Sequence, residues 1–266
     1  MKRIKRTLAA LGVGYLLLIF LTYMLQERLI FHASQLPEDY TYNFEWSFEE
    51  INIEGAQGNS LNGLYFTLEN PDGLILYYHG NAGDLSRWGK VVAYFQQFNY
   101  EVIVMDYRGY GKSTGNYDQD MMYAEAERWY AFAKTKTSED RITLYGRSLG
   151  TTFATYVASK NKPERLILES PFKSLKDVAR KRYWFLPVRY LLKYEFPTHT
   201  FISGVQCEVS LFHGTQDRVV PFDHSLELKR LLEERQTSWI PIEGGGHNDL
   251  VLFDAYREGI EKALEN

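Results

Sequence analysis

The sequence predicts an α/β fold built on a mostly parallel sheet. Short apolar runs such as GLILYYHG (73–80), YEVIVMDY (100–107) and RLILES (165–170) read as strands buried on both faces. Stretches with helical apolar spacing separate them, and Gly, Asn and Asp punctuate the joins. Alternation of this kind over a chain of 266 residues implies parallel strands joined by crossover helices.

The elements follow in order. Strands are expected at Phe48–Ile53 and Leu61–Phe66, with Gly55, Gly58 and Asn59 as turn residues between them. Strand 73–80 precedes a helix over 85–98 that aligns Val91, Val92 and Phe95 on one side. Strand 100–107 leads to a helix over 117–135, and RITLYG (141–146) to a small-residue helix over 149–160. After strand 165–170 the chain is irregular and rich in aromatics and bases over 172–204. EVSLFHG (208–214), a helix near 223–235, SWIPIEG (238–244) and an amphipathic helix over 249–264 complete the pattern. No internal repeat or low-complexity tract interrupts it.

Composition bounds the function. A chain 45% hydrophobic, with 20 Tyr and 16 Phe, buries one substantial core and is not disordered. Lys2, Arg3, Lys5 and Arg6 concentrate positive charge at the start. The remainder holds 26 basic against 34 acidic residues, a net charge of −8, which argues against nucleic-acid binding. The single cysteine, Cys207, excludes an intramolecular disulfide and a cysteine-based zinc site, and reads as a small buried hydrophobe.

Residues 8–25, LAALGVGYLLLIFLTYML, carry no charge. As a helix they extend about 27 Å, close to the hydrocarbon thickness of a bilayer. Residues 1–32 are therefore expected to be a single-pass membrane anchor and connector, and residues 33–266 the folded domain. The basic cluster places the N-terminus in the cytoplasm and the domain on the non-cytoplasmic side, in a periplasm or lumen. A cleaved signal peptide has the same basic start, but no small-x-small cleavage site follows Leu25.

Gly146-Arg147-Ser148-Leu149-Gly150 sits where a strand turns into a helix. Small residues two positions either side of a serine allow a sharp turn that lifts the hydroxyl above the sheet. The pattern reads as a nucleophile elbow, with the first N–H groups of the next helix aimed at developing negative charge. A serine hydroxyl needs a base. Of six histidines, only His247 lies in a glycine-rich loop, EGGGHND (243–249), after the last strand and before the last helix. Asp217, in the turn after the preceding strand, would fix its tautomer. Glu169, at the end of another strand, is a possible second acid. HGNAGD (79–84) offers a glycine-rich turn for an oxyanion hole formed by the N–H groups of Asn81 and Leu149, with Ala82 the alternative to Asn81. DYRGYGKSTG (106–115) lacks phosphate-loop spacing, since Gly111 is two residues from Gly109, and reads as a structural loop.

Together YYHGNAGD, MDYRGYGKSTG, LYGRSLG, ESPFKS, HGTQDRVVP and GGGHND resemble the α/β-hydrolase superfamily, in its serine-hydrolase branch. The resemblance spans roughly residues 40–266 and is strongest to small membrane-anchored hydrolases with a short cap. It implies an eight-stranded, mostly parallel sheet with helices on both faces. It maps nucleophile, acid and base onto Ser148, Asp217 and His247, and a short helical cap onto 172–204. Arg147 departs from the more usual aromatic or neutral neighbour of the serine. Tyr183, Trp184 and Phe185 are the substrate-binding candidates of the cap, which otherwise rests on lipid headgroups or packs as an ordinary helix.

The expectation is a membrane-anchored serine hydrolase acting on small-molecule or lipid acyl esters or thioesters through an acyl-enzyme, with no cofactor and no metal. A peptidase of the same fold and a catalytically idle membrane-tethered interaction domain are the alternatives.

Overall fold

The chain alternates between strand and helix in the order the sequence indicates, and a computed structural model describes residues 1–265, with Arg235 described for its backbone alone. Eight strands form the main sheet: β1 (Phe48–Glu54), β2 (Ser60–Phe66), β3 (Gly73–Tyr78), β4 (Tyr100–Met105), β5 (Ile142–Arg147), β6 (Arg165–Glu169), β7 (Glu208–Gly214) and β8 (Thr237–Ile242). Their spatial order is β8-β7-β6-β5-β3-β4-β2-β1. Strands β8 through β4 are parallel, and β2 and β1 continue the sheet antiparallel.

Burial explains the order. Every residue of β3 and β4 is buried, as a central parallel strand covered on both faces requires. The edges are less apolar: β1 alternates Glu49, Glu50 and Glu54 with half-buried positions, and β8 carries Pro241, which cannot donate to a ladder.

The helices are α1 (Lys2–Ile30), α2 (Leu85–Val92), α3 (Gln119–Ala133), α4 (Gly150–Ala158), α5 (Leu175–Arg182), α6 (Val188–Leu191), α7 (Thr198–Ile202), α8 (Asp223–Lys229) and α9 (Asp254–Leu264). Alternation along β3 sorts them into two layers. Leu74, Leu76 and Tyr78 join the core formed with Trp129 of α3, Phe153 of α4 and Leu228 of α8. Ile75 and Tyr77 join the core formed with Trp88 of α2 and Tyr256 and Ile260 of α9. Caps fix the helix starts: Asp84 accepts from the Ser86 N–H at 2.8 Å, and Asp118 from the Met121 N–H at 2.9 Å.

Some boundaries differ from expectation. The helix expected over 85–98 is α-helical only to Val92 and tightens into a 3₁₀ turn closed by Asn99 at φ 58°. The helix expected near 223–235 stops at Lys229, where Leu231 and Leu232 bond back three residues to Leu228 and Lys229. Within 172–204 the irregular sequence folds as the three short helices α5, α6 and α7.

Helix α1 extends past the uncharged run at both ends. Its most apolar 18-residue window has a mean hydropathy of 2.2 and no buried residue, so α1 is long and apolar enough to cross a membrane. Its C-terminal end joins the folded body. Gln26 and Phe31 are buried, and His32–Ala33 pairs in parallel with Ala82–Gly83.

Candidate active site

The elbow is built as its glycines suggest. Ser148 follows β5 with φ 50°, in the left-handed region that a non-glycine residue adopts only under constraint. A Cβ on Gly146 would lie 2.7 Å from the Gly150 carbonyl oxygen. One on Gly150 would lie 1.8 Å from that of Tyr78. Any side chain at either position would force the turn open and pull the serine from the strand end. The Ser148 N–H donates to the Glu169 carbonyl at 2.9 Å, tying the elbow to β6.

Three side chains from three strand ends meet there. His247 Nε2 lies 3.0 Å from Ser148 Oγ, and His247 Nδ1 lies 2.7 Å from Asp217 Oδ2. The loops that carry Asp217 and His247 are in contact: a Cβ on Gly214 would lie 2.2 Å from the Gly245 carbonyl oxygen. Gly244, at φ 76°, turns the chain toward the site, and Asp249 accepts from the Gly246 N–H at 2.7 Å.

Asp217 is fully satisfied. Its Oδ1 accepts from the N–H groups of Val219 and Val220 at 2.7 and 2.9 Å. Burial alone would raise its carboxyl pKa. Hydrogen bonds from His213, His247 and the Val220 N–H outweigh that and hold it well below the usual carboxylate range. The His213 contribution was not read from sequence. Its Nε2 lies 3.2 Å from Asp217 Oδ2 and 3.2 Å from the Val220 carbonyl, so that nitrogen faces two acceptors and donates. The signal was the spacing of His213 and Asp217, four residues apart across a glycine turn.

A depressed carboxyl pKa stabilises the fold above the unfolded value, near ~3.9, and that stability is lost only as pH falls through the lower folded value. Asp217→Asn is therefore expected to cost about 2 kcal/mol at neutral pH, because the amide accepts fewer of these bonds. The difference from the native chain should shrink as pH drops below the ordinary carboxylate range. Denaturant titrations at a series of pH values measure this. A difference that does not change with pH would separate Asp217 from the shift.

The other histidines do not reach Ser148. His79 is buried with Nε2 3.1 Å from Asp106 and Nδ1 2.6 Å from the Gly80 carbonyl. His199 bonds the Lys173 carbonyl, His224 accepts from the Lys173 N–H, and His32 lies in the short strand beside 82–83.

Glu169 is committed elsewhere. Its carboxylate pairs with Arg147 Nε at 3.1 Å and accepts from the hydroxyls of Tyr145 at 2.6 Å and Tyr256 at 3.2 Å. This accounts for Arg147 beside the serine: β5 and β6 are in register at Arg147 and Glu169, and the guanidinium neutralises a buried carboxylate. Arg147 Nη2 also approaches Asn248 Oδ1 at 3.4 Å, next to His247.

Gly150 packs against the Tyr78 and His79 carbonyls, so the loop after β3 touches the elbow. Among the described residues, no acceptor takes the backbone N–H of Asn81 or Leu149. The Asn81 side chain donates to the Ile30 carbonyl, and Tyr110 donates to the Asn81 carbonyl at 2.9 Å. The first bond ties the loop to the end of α1 and the second ties it to the loop 106–115. Tyr183, Trp184 and Phe185 lie on the exposed outer side of 172–204, next to α1. The loop 106–115 is structural: Arg108 pairs with buried Glu125 through two bonds of 3.0 and 2.7 Å, and Gly109, Gly111 and Gly115 take positive φ.

The sheet order and the strand-end elbow define an α/β hydrolase. A family profile described as the alpha/beta hydrolase fold matches residues 73–187. Alpha/beta hydrolase domain-containing protein 17C of Xenopus tropicalis is 31% identical over 255 residues, covering 91% of this chain and 76% of that protein. Alpha/beta hydrolase domain-containing protein 17B of Homo sapiens is 31% identical over 245 residues, covering 88% of this chain and 82% of that protein. The Pyrococcus furiosus esterase Pf2001 shares the fold with a TM-score of 0.69 at 17% identity, over 88% of this chain and 98% of that one. The chain belongs to the α/β-hydrolase family.

Proposed function

We propose that the chain is a membrane-anchored serine hydrolase that cleaves acyl esters or thioesters, a carboxylic ester hydrolase in reaction type. The observation that carries this reading is the unbroken chain of hydrogen bonds from Ser148 Oγ through His247 to Asp217 at the elbow. Ser148 Oγ attacks the acyl carbonyl while His247 Nε2 takes its proton. Asp217 holds the imidazole in the tautomer with its proton on Nδ1 and stabilises the imidazolium that forms. The oxyanion of the tetrahedral intermediate accepts from the N–H groups of Leu149 and Asn81. The imidazolium then protonates the leaving alcohol or thiol. In the second half, His247 deprotonates water, which attacks the acyl-serine, and Ser148 recovers its proton.

Residues 1–32 are read as anchor and connector, 33–266 as the hydrolase domain, and 172–204 as its short cap. The basic start favours a cytoplasmic N-terminus and a catalytic domain on the non-cytoplasmic side. The esterase named among the structural neighbours and the hydrolase-domain relatives support the reaction class.

The test is a substrate panel with the full chain in detergent. Short acyl p-nitrophenyl esters and acyl thioesters should turn over, and peptide amides should not. Cleavage of peptides with no ester turnover would overturn the ester reading in favour of a peptidase. A domain inert to the whole panel would favour the interaction role over the ester reading.

A further inference from the structure

Tyr15 lies near the middle of the uncharged run 8–25, and its hydroxyl donates to the Phe185 carbonyl at 2.8 Å. Ten residues separate Tyr15 from Leu25, about 15 Å of helix. The segment before Tyr15 cannot span a bilayer alone. It gives about 21 Å against the roughly 30 Å of hydrocarbon, and Lys2, Arg3, Lys5 and Arg6 occupy its start. A spanning α1 therefore holds Tyr15 at hydrocarbon depth, and Phe185 with it.

The contact between α1 and the cap is extended. Gln26 Nε2 donates to the Leu191 carbonyl at 3.1 Å, and its Oε1 accepts from the Lys193 N–H at 2.8 Å. Glu27 accepts from the Tyr194 hydroxyl at 2.7 Å and pairs with Lys193 at 3.6 Å. Contacts at residues 15, 26 and 27 fix the cap against more than two turns of α1. Their chemistry is graded as a membrane requires. Charged and amide groups meet at the end nearest the domain, and one hydroxyl–carbonyl bond satisfies the backbone at the deep end.

Among the described residues, none covers the surface beyond that bond. Trp184 is 81% exposed and Tyr190 80%, with Tyr183 and Phe185 exposed beside them. Basic residues flank this tip on both sides. Lys181, Arg182 and Arg189 stand beside or within it, with Arg180 paired to Asp177, while Lys176 and Lys193 pair with Glu195 and Glu27. Arg182 and Arg189 lie over the rings of Tyr183 and Tyr190. Exposed aromatic side chains with guanidinium groups over two of their rings match a phospholipid surface that carries anionic headgroups.

We propose that the cap tip, residues 183–190, is inserted into the leaflet on the side of the folded domain, among anionic headgroups, so that the domain is held to the membrane by α1 and by the cap together. This rests on the anchor reading of α1. The contacts with α1 set how deep the tip can reach, and attraction of its guanidinium groups to anionic headgroups sets how much of the time it is inserted.

The experiment places a bimane label at Trp184→Cys in full chain carrying Cys207→Ala. The protein is reconstituted in vesicles of phosphatidylcholine and phosphatidylglycerol. Asp140→Cys, exposed beyond the opposite end of β5, is the control position. The label at 184 should be quenched several-fold more by lipids spin-labelled on the acyl chain than the label at 140, and be shielded from aqueous iodide. Lowering the phosphatidylglycerol fraction should weaken the acyl-chain quenching. A label at 184 open to iodide and untouched by the acyl-chain quencher would overturn the proposal, as would quenching indifferent to anionic lipid. Carbonate extraction of the same vesicles separates the two levels. Protein retained with an iodide-accessible tip sinks the insertion and spares the anchor. Protein released sinks the anchor reading itself.

Discussion

Ser148→Ala is expected to lower kcat for a short acyl ester by a factor on the order of 10⁵–10⁶, leaving the fold intact. On the proposed reading the substitution removes the atom that forms the acyl-enzyme. It leaves the N–H groups of Leu149 and Asn81 and the neighbouring His247–Asp217 pair in place, so a residue of rate over water remains. Stability should change by less than about 1 kcal/mol, because the hydroxyl makes one hydrogen bond, to half-buried His247. The positive φ at 148 belongs to the tight turn that the glycines either side permit, and suits alanine as poorly as serine. Steady-state kinetics with a p-nitrophenyl ester, paired with a denaturation curve, measure both quantities. Native turnover in the alanine variant would remove Ser148 from the reaction.

The second large effect is on stability. Arg147→Met is expected to cost about 3–5 kcal/mol, because it strands the buried carboxylate of Glu169 without its counter-charge. Glu169 is buried, and Arg147 is largely covered beside it. Burial disfavours the charge on Arg147, but Glu169 outweighs this and the guanidinium stays ionised. Burial first, and then Glu169, push the Tyr145 and Tyr256 hydroxyls well above the usual phenol range, so both remain donors to that carboxylate. Two phenols cannot replace a cation. The double variant Arg147→Met, Glu169→Gln should recover most of the loss, since no buried charge remains. Denaturant midpoints for the two single variants and the double variant close the cycle. Equal losses in Arg147→Met and the double variant would show that packing, not charge, sets the cost.

The strand pattern was legible because parallel strands covered on both faces leave continuous apolar runs, as Gly73–Tyr78 and Tyr100–Met105 do. That Ser148, Asp217 and His247 would meet was legible for a related reason. Each follows a strand, and turns that demand glycine surround Ser148 and His247. What pairs across strands was hidden. Glu169 resembled a spare acid until the β5–β6 register set it opposite Arg147. The second donor to Asp217, His213, depends on a ring orientation that spacing does not encode. Helix lengths failed where local hydrogen bonding changed from four to three residues, at 93–98 and beyond Lys229. The contact of Tyr15 with Phe185 joins residues 170 positions apart, and composition alone gave no reason to pair them.

His247 and Asp217 are expected to activate one serine. Full chain treated with a fluorophosphonate and digested for mass spectrometry tests it directly. One adduct per chain is expected, on Ser148, formed far more slowly in His247→Ala. An unmodified Ser148, or an adduct formed at the same rate without His247, would contradict it.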